Sequence, residues 1–517
     1  MPCLPSCTEL VRAESLPASG TSPFVWLLTV VLVLGGLSAW HILNGSRVLG
    51  FLCDEDPQAP LRWSWTSAAF CLLFPVFVLI VLHTWLVASH SGVPVGSLRG
   101  AMAATQNHYG AVIDAGSSGS RIAIFEWRIA SNGDPHVWPV TLIADNELDD
   151  PKALEERRDP KGCPVTGLST EKERVCNCLR ALARRARERT VRFLGEPNLP
   201  PIDLWVKATA GVRYEGSKQK RDAVLKETDR CLGDPANYGA PSDFRWKDAS
   251  VISGEEEGMY AWLAVNQVAR TLHGDISATL GIVEVGGKSA QLAFPVPDPT
   301  VLTFARGKAL AVPLRSGTLH VYALSQELGQ NAAREGIGKA IVDKECALGG
   351  DTASCISKIR HFLCSSTPNQ ACGDLKPDLA PPRKMRFVGL SNFAFATRNL
   401  GLANLDLETV RYRAKQVCDA SYGRNLRDAY LNPGGEKLDA ARLARFGREL
   451  GVEFVRPAGR FKGGACFSAL YVTQVADFAW GVPLGNISLS KPEWASDPSW
   501  PLGAMIIEAL KSQESGS

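Results

Sequence analysis

Residues 281–294 read GIVEVGGKSAQLAF, and residues 111–127 read AVIDAGSSGSRIAIFEW. At first sight the former is a P-loop: a strand, two glycines and a Lys-Ser pair. The count excludes it. A P-loop has four residues between its first glycine and Gly-Lys-Ser, whereas five separate Gly281 from Gly287, and a carboxylate, Glu284, interrupts the strand. The second stretch follows the same plan. Val112-Ile113-Asp114-Ala115-Gly116-Ser117-Ser118 and Val283-Glu284-Val285-Gly286-Gly287-Lys288-Ser289 are each an apolar strand carrying a carboxylate, then glycine, then hydroxyls. One such unit in each half of the chain predicts two loops facing each other across a cleft.

The surroundings fit an α/β fold. YGAVIDAG, DLWVKATA, ATLGIVEVGG and MRFVGLS read as buried strands ending at turns. EKERVCNCLRALARRARER and SKQKRDAVLKETDRCL read as amphipathic helices with charged outer faces. Strands alternating with helices argue for α/β architecture. The stretch from Tyr109 onward, about 410 residues, is enough for two lobes.

The N-terminal region is different. Pro23–Leu43 and Trp63–Ala88 contain no Lys, Arg, Asp or Glu. Each exceeds the ~18 apolar residues that suggest a membrane span, and tryptophans near their ends suit the membrane interface. A cleaved signal peptide is the competing reading of the first, but a leader of 22 residues with Arg12 as its only base is long for that. Two transmembrane helices, 23–43 and 63–88, are expected after a tail, 1–22, and before a polar linker, 89–108. The hairpin puts the N-terminus and everything after Ala88 on one side of the membrane. The connecting loop holds Arg47 and Arg62, with Asp54, Glu55 and Asp56, while Arg12 and Arg99 flank the outer ends; two bases against one on either side tilt the loop slightly toward the cytoplasm.

Net charge is +3, and no long basic run appears, so nucleic acid is not an expected partner. Ten of the fourteen cysteines lie after the two apolar stretches, an even number that suits disulfides in an oxidising compartment. Free buried thiols are the alternative. A zinc site is disfavoured, since no two C-x-x-C pairs occur and the eight histidines show no ligand spacing. Asn486-Ile487-Ser488 is a glycosylation tripeptide if this side is lumenal.

Four stretches carry the chemistry. Gly116, Ser117, Ser118, Gly119, Ser120 and Arg121 offer N–H groups, hydroxyls and a guanidinium, the groups that hold phosphate. Asp114, just before them, is placed to hold a divalent cation through water. A plain hairpin turn is the structural alternative. In KATAGVR, Lys207–Arg213, a buried strand ends in small residues with Thr209 exposed; alone this reads as close packing. VISGEEEGMYAWLAVNQ, Val251–Gln267, sets three carboxylates between glycines before an apolar helix. Such a run is usually a solvated turn, but Glu257, joined to the helix, is firmly placed to act as a general base. In the stretch of residues 281–294, Gly286, Gly287 and Lys288 allow close approach of phosphate. Glu284 faces Asp114, and Gln291 is placed to orient a water.

Together, in order and spacing, DAGSSGSR, ATAGVR, GEEEGMYAW and EVGGKSAQ resemble the first four apyrase-conserved regions of the nucleoside triphosphate diphosphohydrolase family (apyrases and guanosine diphosphatases). FVGLSNFAF, ACFSALYV and SWPLGAM extend the similarity over nearly all of the chain from Tyr109. The resemblance implies two ribonuclease H-like lobes of the actin/Hsp70 type around a central nucleotide cleft. Lobe I would span 109–252 and be completed by 480–517; lobe II would span 253–479. It implies hydrolysis of the terminal phosphate of nucleoside di- or triphosphates with Ca²⁺ or Mg²⁺. Asp114 and Glu284 would hold the metal through waters, Glu257 would be the base, Ser289 and Gln291 would position the attacking water, and Thr209 would support the cluster. Cys418 and Cys466 match a disulfide pair of the family. Members are membrane-anchored, with the catalytic domain lumenal (Golgi) or extracellular. Region four departs from the usual Asp-Leu-Gly-Gly-Ala-Ser-Thr-Gln at Glu284, Lys288 and Ala290. The extra methylene of Glu284 shifts the metal or its water by on the order of 1 Å. An exopolyphosphatase of the same superfamily, or a non-catalytic nucleotide-binding membrane protein, are the alternative expectations.

Overall fold

The structure, a computed structural model, describes residues 107–514 except 117–118, 130–132, 145–164, 215, 235–242, 273–275, 298–306, 315–316, 348, 367–371, 400–405, 420–463 and 490–498. The two apolar stretches, most of the linker, Ser117 and Ser118 lie outside the described residues. Among the described residues, no helix is long and apolar enough to cross a membrane.

Two sheets carry the fold. The first contains β1 (His108–Ala115), β2 (Ser120–Ile129), β3 (Pro135–Ala144), β4 (Ile202–Ala208) and β5 (Phe244–Val251), in the order β3-β2-β1-β4-β5. The second contains β6 (Gly281–Val285), β7 (Ala290–Val296), β8 (Lys308–Leu314), β9 (Gly317–Gln326), β10 (Phe387–Ser391) and β11 (Ile487–Leu489), in the order β11-β10-β6-β7-β9-β8. With the edge strand β8 set aside, the second order repeats the first. In each sheet the opening strand pairs antiparallel with the next and parallel with the fourth. This is the strand order expected of a ribonuclease H-type lobe, present twice.

The helices are α1 (Lys172–Leu194), α2 (Ala210–Arg213), α3 (Lys218–Leu232), α4 (Gly254–Val268), α5 (Gln330–Ile337), α6 (Lys339–Glu345), α7 (Thr352–Ser365), α8 (Asn392–Asn399), α9 (Leu407–Cys418), α10 (Ala465–Gln474) and α11 (Trp500–Glu514). In α1, Val175, Leu179, Leu182, Ala183 and Ala186 recur at helical spacing and are buried; Gly195, at φ +68°, ends the helix in the left-handed conformation that glycine adopts without penalty.

Strand alternation sorts the core into layers. Ile113, Ile122 and Val206 pack outward against α1 and α3. Val283, Val285 and Phe294 pack outward against α7, α9 and α10. The inward faces, Val112, Ala123 and Phe125 on one sheet and Ile282, Ala293 and Val321 on the other, share a core with α4 and α11. This explains why α4 is buried nearly all round, Met259 through Gln267, as a helix between two sheets must be. Trp262 is fully buried there, and truncating such a side chain to Ala costs about 3–5 kcal/mol. Because β11 pairs with β10, the second sheet's chain runs to Leu489, past the boundary at 479. It is α11 that returns to the first sheet.

Disulfides join Cys176 to Cys231, Cys346 to Cys355, Cys364 to Cys372, and Cys418 to Cys466. All nine described cysteines are disulfide-bonded.

Candidate active site

The two quoted stretches form the same hairpin. In the first, Ala115 pairs with Ser120 and Asp114 with Arg121, leaving a four-residue loop, 116–119. In the second, Val285 pairs with Ala290 and Glu284 with Gln291, leaving the loop 286–289. Asp114 thus corresponds to Glu284, and Gly116 to Gly286. Asp114 is two residues from Val112 and Glu284 two from Ile282, so alternation sends both carboxylates to the inward faces. Asp114, Arg121, Glu284, Leu390, Ser391 and Trp500 are among the residues lining a cavity of about 130 Å³ between the two halves.

The two carboxylates have different partners. Arg121 Nη2 reaches Asp114 Oδ2 at 2.6 Å. Gln291, which stands where Arg121 does, turns elsewhere: its Nε2 lies 2.9 Å from Ser289 Oγ, 3.4 Å from Glu257 Oε2 and 3.3 Å from Ser325 Oγ. Glu284 Oε1 instead accepts from Ser391 Oγ at 2.6 Å.

The three glutamates of the Glu-rich turn separate into three roles. Ser253 and Glu256 close a capping box on α4: Ser253 Oγ accepts from the Glu256 N–H at 3.1 Å, and Glu256 Oε2 accepts from the Ser253 N–H at 2.7 Å. Glu255 faces Lys308 at 3.7 Å. Glu257 turns inward and is buried. Burial pushes its carboxyl up to about 8; Arg213 opposes this, while the charges of Glu284 and Asp114 add to it.

Arg213 ties the pieces together. Its Nη2 lies 3.1 Å from Glu257 Oε2 and 3.4 Å from Ser289 Oγ, and Nη1 donates to the Ile252 carbonyl at 2.9 Å. Thr209 is buried, not exposed as expected, because its N–H and hydroxyl both turn to the Ala115 carbonyl, at 3.3 and 3.5 Å. It braces the strand end just before the first loop. In the second hairpin Asn392 does the same from the start of α8, its Nδ2 donating to the Val285 carbonyl at 2.8 Å. The second loop is also backed by α5. Gln330 N–H donates to Gly286 O, and Asn331 N–H to Gly287 O, each at 2.9 Å.

The structure therefore brings Glu257, Ser289 and Gln291 together, with Asp114 and Glu284 on the adjoining cavity. Arg213, Ser325, Ser391 and Asn392 were not assigned from sequence. Arg213 closes the quoted KATAGVR, and Ser391 and Asn392 lie in FVGLSNFAF; Ser325 is reached only through the pairing of β9 with β7. The cavity's donors are all oxygen, which suits Ca²⁺ or Mg²⁺. Among the described residues no three or more His, Cys, Asp and Glu converge on one point.

Fold and site define an α/β protein with a buried glutamate, Glu257, beside two hairpins that each carry an inward carboxylate. Comparison with known proteins makes this specific. Residues 101–309 match the GDA1/CD39 (nucleoside phosphatase) family. The chain is 30% identical over 466 residues to probable apyrase 6 of Arabidopsis thaliana, covering 80% of this chain and 73% of that protein. It is 29% identical over 441 residues to probable apyrase 5 of the same plant, covering 77% and 82%. The nucleoside-diphosphatase mig-23 of Caenorhabditis elegans is 28% identical over 255 residues, 47% of this chain and 41% of that one. The chain belongs to the GDA1/CD39 family of nucleoside phosphatases, the family of the apyrases.

Proposed function

We propose that this nucleoside phosphatase is a membrane-anchored enzyme that removes the terminal phosphate of nucleoside di- or triphosphates, with Glu257 as the base. The observation that carries this reading is the buried Glu257 carboxylate, held by Arg213 and Gln291 beside Ser289 at the end of the second loop. A substrate's phosphates would lie against the two hairpin loops, contacting N–H groups, Ser289 and the half-buried Lys288. Gln291 and Ser289 would orient a water in line with the terminal phosphorus. Glu257 would take a proton from that water as its oxygen bonds to phosphorus. The bond from phosphorus to the bridging oxygen breaks, and orthophosphate and the shortened nucleotide leave. A Ca²⁺ or Mg²⁺ ion held through water by Asp114 and Glu284 would supply charge neutralisation to the phosphate oxygens.

Purified protein offered UDP, GDP, ADP and ATP with either cation should release orthophosphate from at least one; release from none would overturn the reading. Glu257→Gln should lower the rate by ~10²–10⁴-fold while nucleotide binding persists by calorimetry.

The anchor would be the two apolar N-terminal stretches, with the catalytic part lumenal or extracellular. The disulfides support an oxidising compartment. Removing residues 1–88 should release the protein from membranes, and a glycosidase-sensitive mass at Asn486 would place this side in the secretory lumen.

A further inference from the structure

We propose that Ser391 is a positioning residue for Glu284: it fixes where the longer of the two facing carboxylates ends, and thereby how tightly the cavity holds a divalent cation. The inference rests on the reading of Asp114 and Glu284 as the cation-holding pair.

Three observations converge on Ser391. First, its backbone is in the left-handed region, φ +52°; Arg270 is the other non-glycine residue so placed among the described residues. That conformation is strained for a residue with a Cβ and persists only where the surroundings require it. Second, the strain has a geometric consequence. Along β10, Val388 and Leu390 face the inward core while Phe387 faces the outer one. Strict alternation would send Ser391 outward as well. The left-handed turn brings its side chain back to the cavity, where its hydroxyl donates to Glu284 Oε1 at 2.6 Å.

Third, the two hairpins differ at this point. Asp114 is met by a cation, Arg121, from its own hairpin. The corresponding residue opposite Glu284 is Gln291, which is engaged with Glu257, Ser289 and Ser325. Glu284 has one more torsion than an aspartate, so its carboxylate sweeps a wider arc. The Ser391 hydroxyl holds one of its oxygens in place. Fixing a ligand's direction through a hydrogen bond is the role that residues holding metal ligands generally play.

The test uses the full-length protein in detergent micelles. Ser391→Gly removes the hydroxyl while relieving the backbone, because glycine adopts positive φ freely; Ser391→Ala removes the hydroxyl and keeps the strain. Ca²⁺ and Mg²⁺ affinity is measured by calorimetry without nucleotide, alongside the thermal midpoint and nucleotide kinetics. The expected result for Ser391→Gly is a midpoint at or above that of the unsubstituted protein and a cation affinity lower by on the order of tenfold. The cation concentration for half-maximal rate rises in step, while kcat at saturating cation is largely recovered. In a Glu284→Ala background the same substitution leaves cation affinity unchanged. Cation affinity in Ser391→Gly equal to that of the unsubstituted protein would overturn the proposal. So would an equal loss in the Glu284→Ala background, or no cation uptake by the unsubstituted protein. If no nucleotide yields phosphate but the cation affinity drops as described, the nucleotidase reading fails and this one stands.

Discussion

Glu257 is the residue whose environment opposes folding most plainly. In the unfolded chain its carboxyl titrates in the ordinary glutamate range; in the fold, burial and the charges of Glu284 and Asp114 carry it up to about 8. Between those values the folded state holds a proton that the unfolded state has lost. The associated stability is fully present below the unfolded value and is lost as pH rises to about 8. The slope is at most about 1.4 kcal/mol per pH unit. Glu257→Gln keeps the shape and removes the titration. Its thermal midpoint should match the native protein near pH 4.5 and exceed it by several degrees at pH 9, while activity is lost. Equal midpoints at both pH values would contradict the burial argument. As the proposed base, the same carboxylate has to be ionised to accept a proton, so at limiting cation kcat/KM should rise through about pH 8. Raising Ca²⁺ or Mg²⁺ should move that rise to lower pH, because a cation offsets the repulsion from Asp114 and Glu284. At this scale the sequence was informative where a residue's placement is local. Asp114 and Glu284 interrupt apolar strands, and Glu257 opens an apolar helix. It was silent on Ser325 and Ser391, whose parts depend on which strands pair, and wrong on Thr209, because exposure at a strand end depends on the neighbour that the end meets.

Among the elements, the second loop shows how a helix start can shape a site without touching a ligand. The first N–H groups of α5 donate to the carbonyls of Gly286 and Gly287, which fixes the peptide planes of the loop. Such close contact is possible only because Gly329 lacks a side chain. A Cβ there would lie 2.2 Å from the Lys288 carbonyl carbon and 2.3 Å from its nitrogen. The backbone of Gly329, at φ −71°, suits any residue. Gly329→Ala is therefore a steric wedge under residues 286–289. A displacement of about 1 Å at a positioning element costs roughly 10²-fold, so kcat/KM should fall to about that extent. Gly338, at the other end of α5, is the control. Its φ is +99° and the nearest neighbour of an added Cβ is 3.7 Å away, so Gly338→Ala strains the backbone and leaves the loop alone. It should lower the thermal midpoint with kcat/KM nearly unchanged. The hairpins themselves were legible as two copies of one pattern. The match of Asp114 to Glu284 was legible too, and the strand pairing gives the two carboxylates equivalent places in their hairpins.

For the whole molecule, the question is what sets the distance between the two loops. Each belongs to its own sheet, and the sheets meet through α4 and α11. α4 packs on the second sheet and α11 on the first. Local pattern could show that strands and helices alternate, but not that a helix beginning at Trp500 would cross one beginning at Gly254. The crossing depends on Gly503: a Cβ there would lie 1.9 Å from the Tyr260 carbonyl oxygen, a backbone atom that cannot rotate aside. Gly503→Ala must push the helices apart and so move one sheet relative to the other. Overpacking of this kind costs about 1–3 kcal/mol, a drop of roughly 2–12 °C in a domain of about 150–250 residues and somewhat less in a larger one. Since in the proposed mechanism both loops and Glu257 meet one phosphate, kcat/KM should fall as well, by on the order of 10²-fold. Gly110 offers the comparison. Its added Cβ would meet Met505 Sδ at 2.6 Å, the far end of a flexible side chain, besides the Trp127 ring at 3.0 Å. Gly110→Ala also crowds the contact of α11 with the first sheet, but Met505 can rotate away. It should lower the midpoint by less and leave kcat/KM within a few-fold of native. Thermal melts and phosphate-release kinetics on the pair decide the matter. If Gly503→Ala melts early yet turns over nucleotide as fast as the native protein, the helix crossing stabilises the fold without setting the distance between the loops.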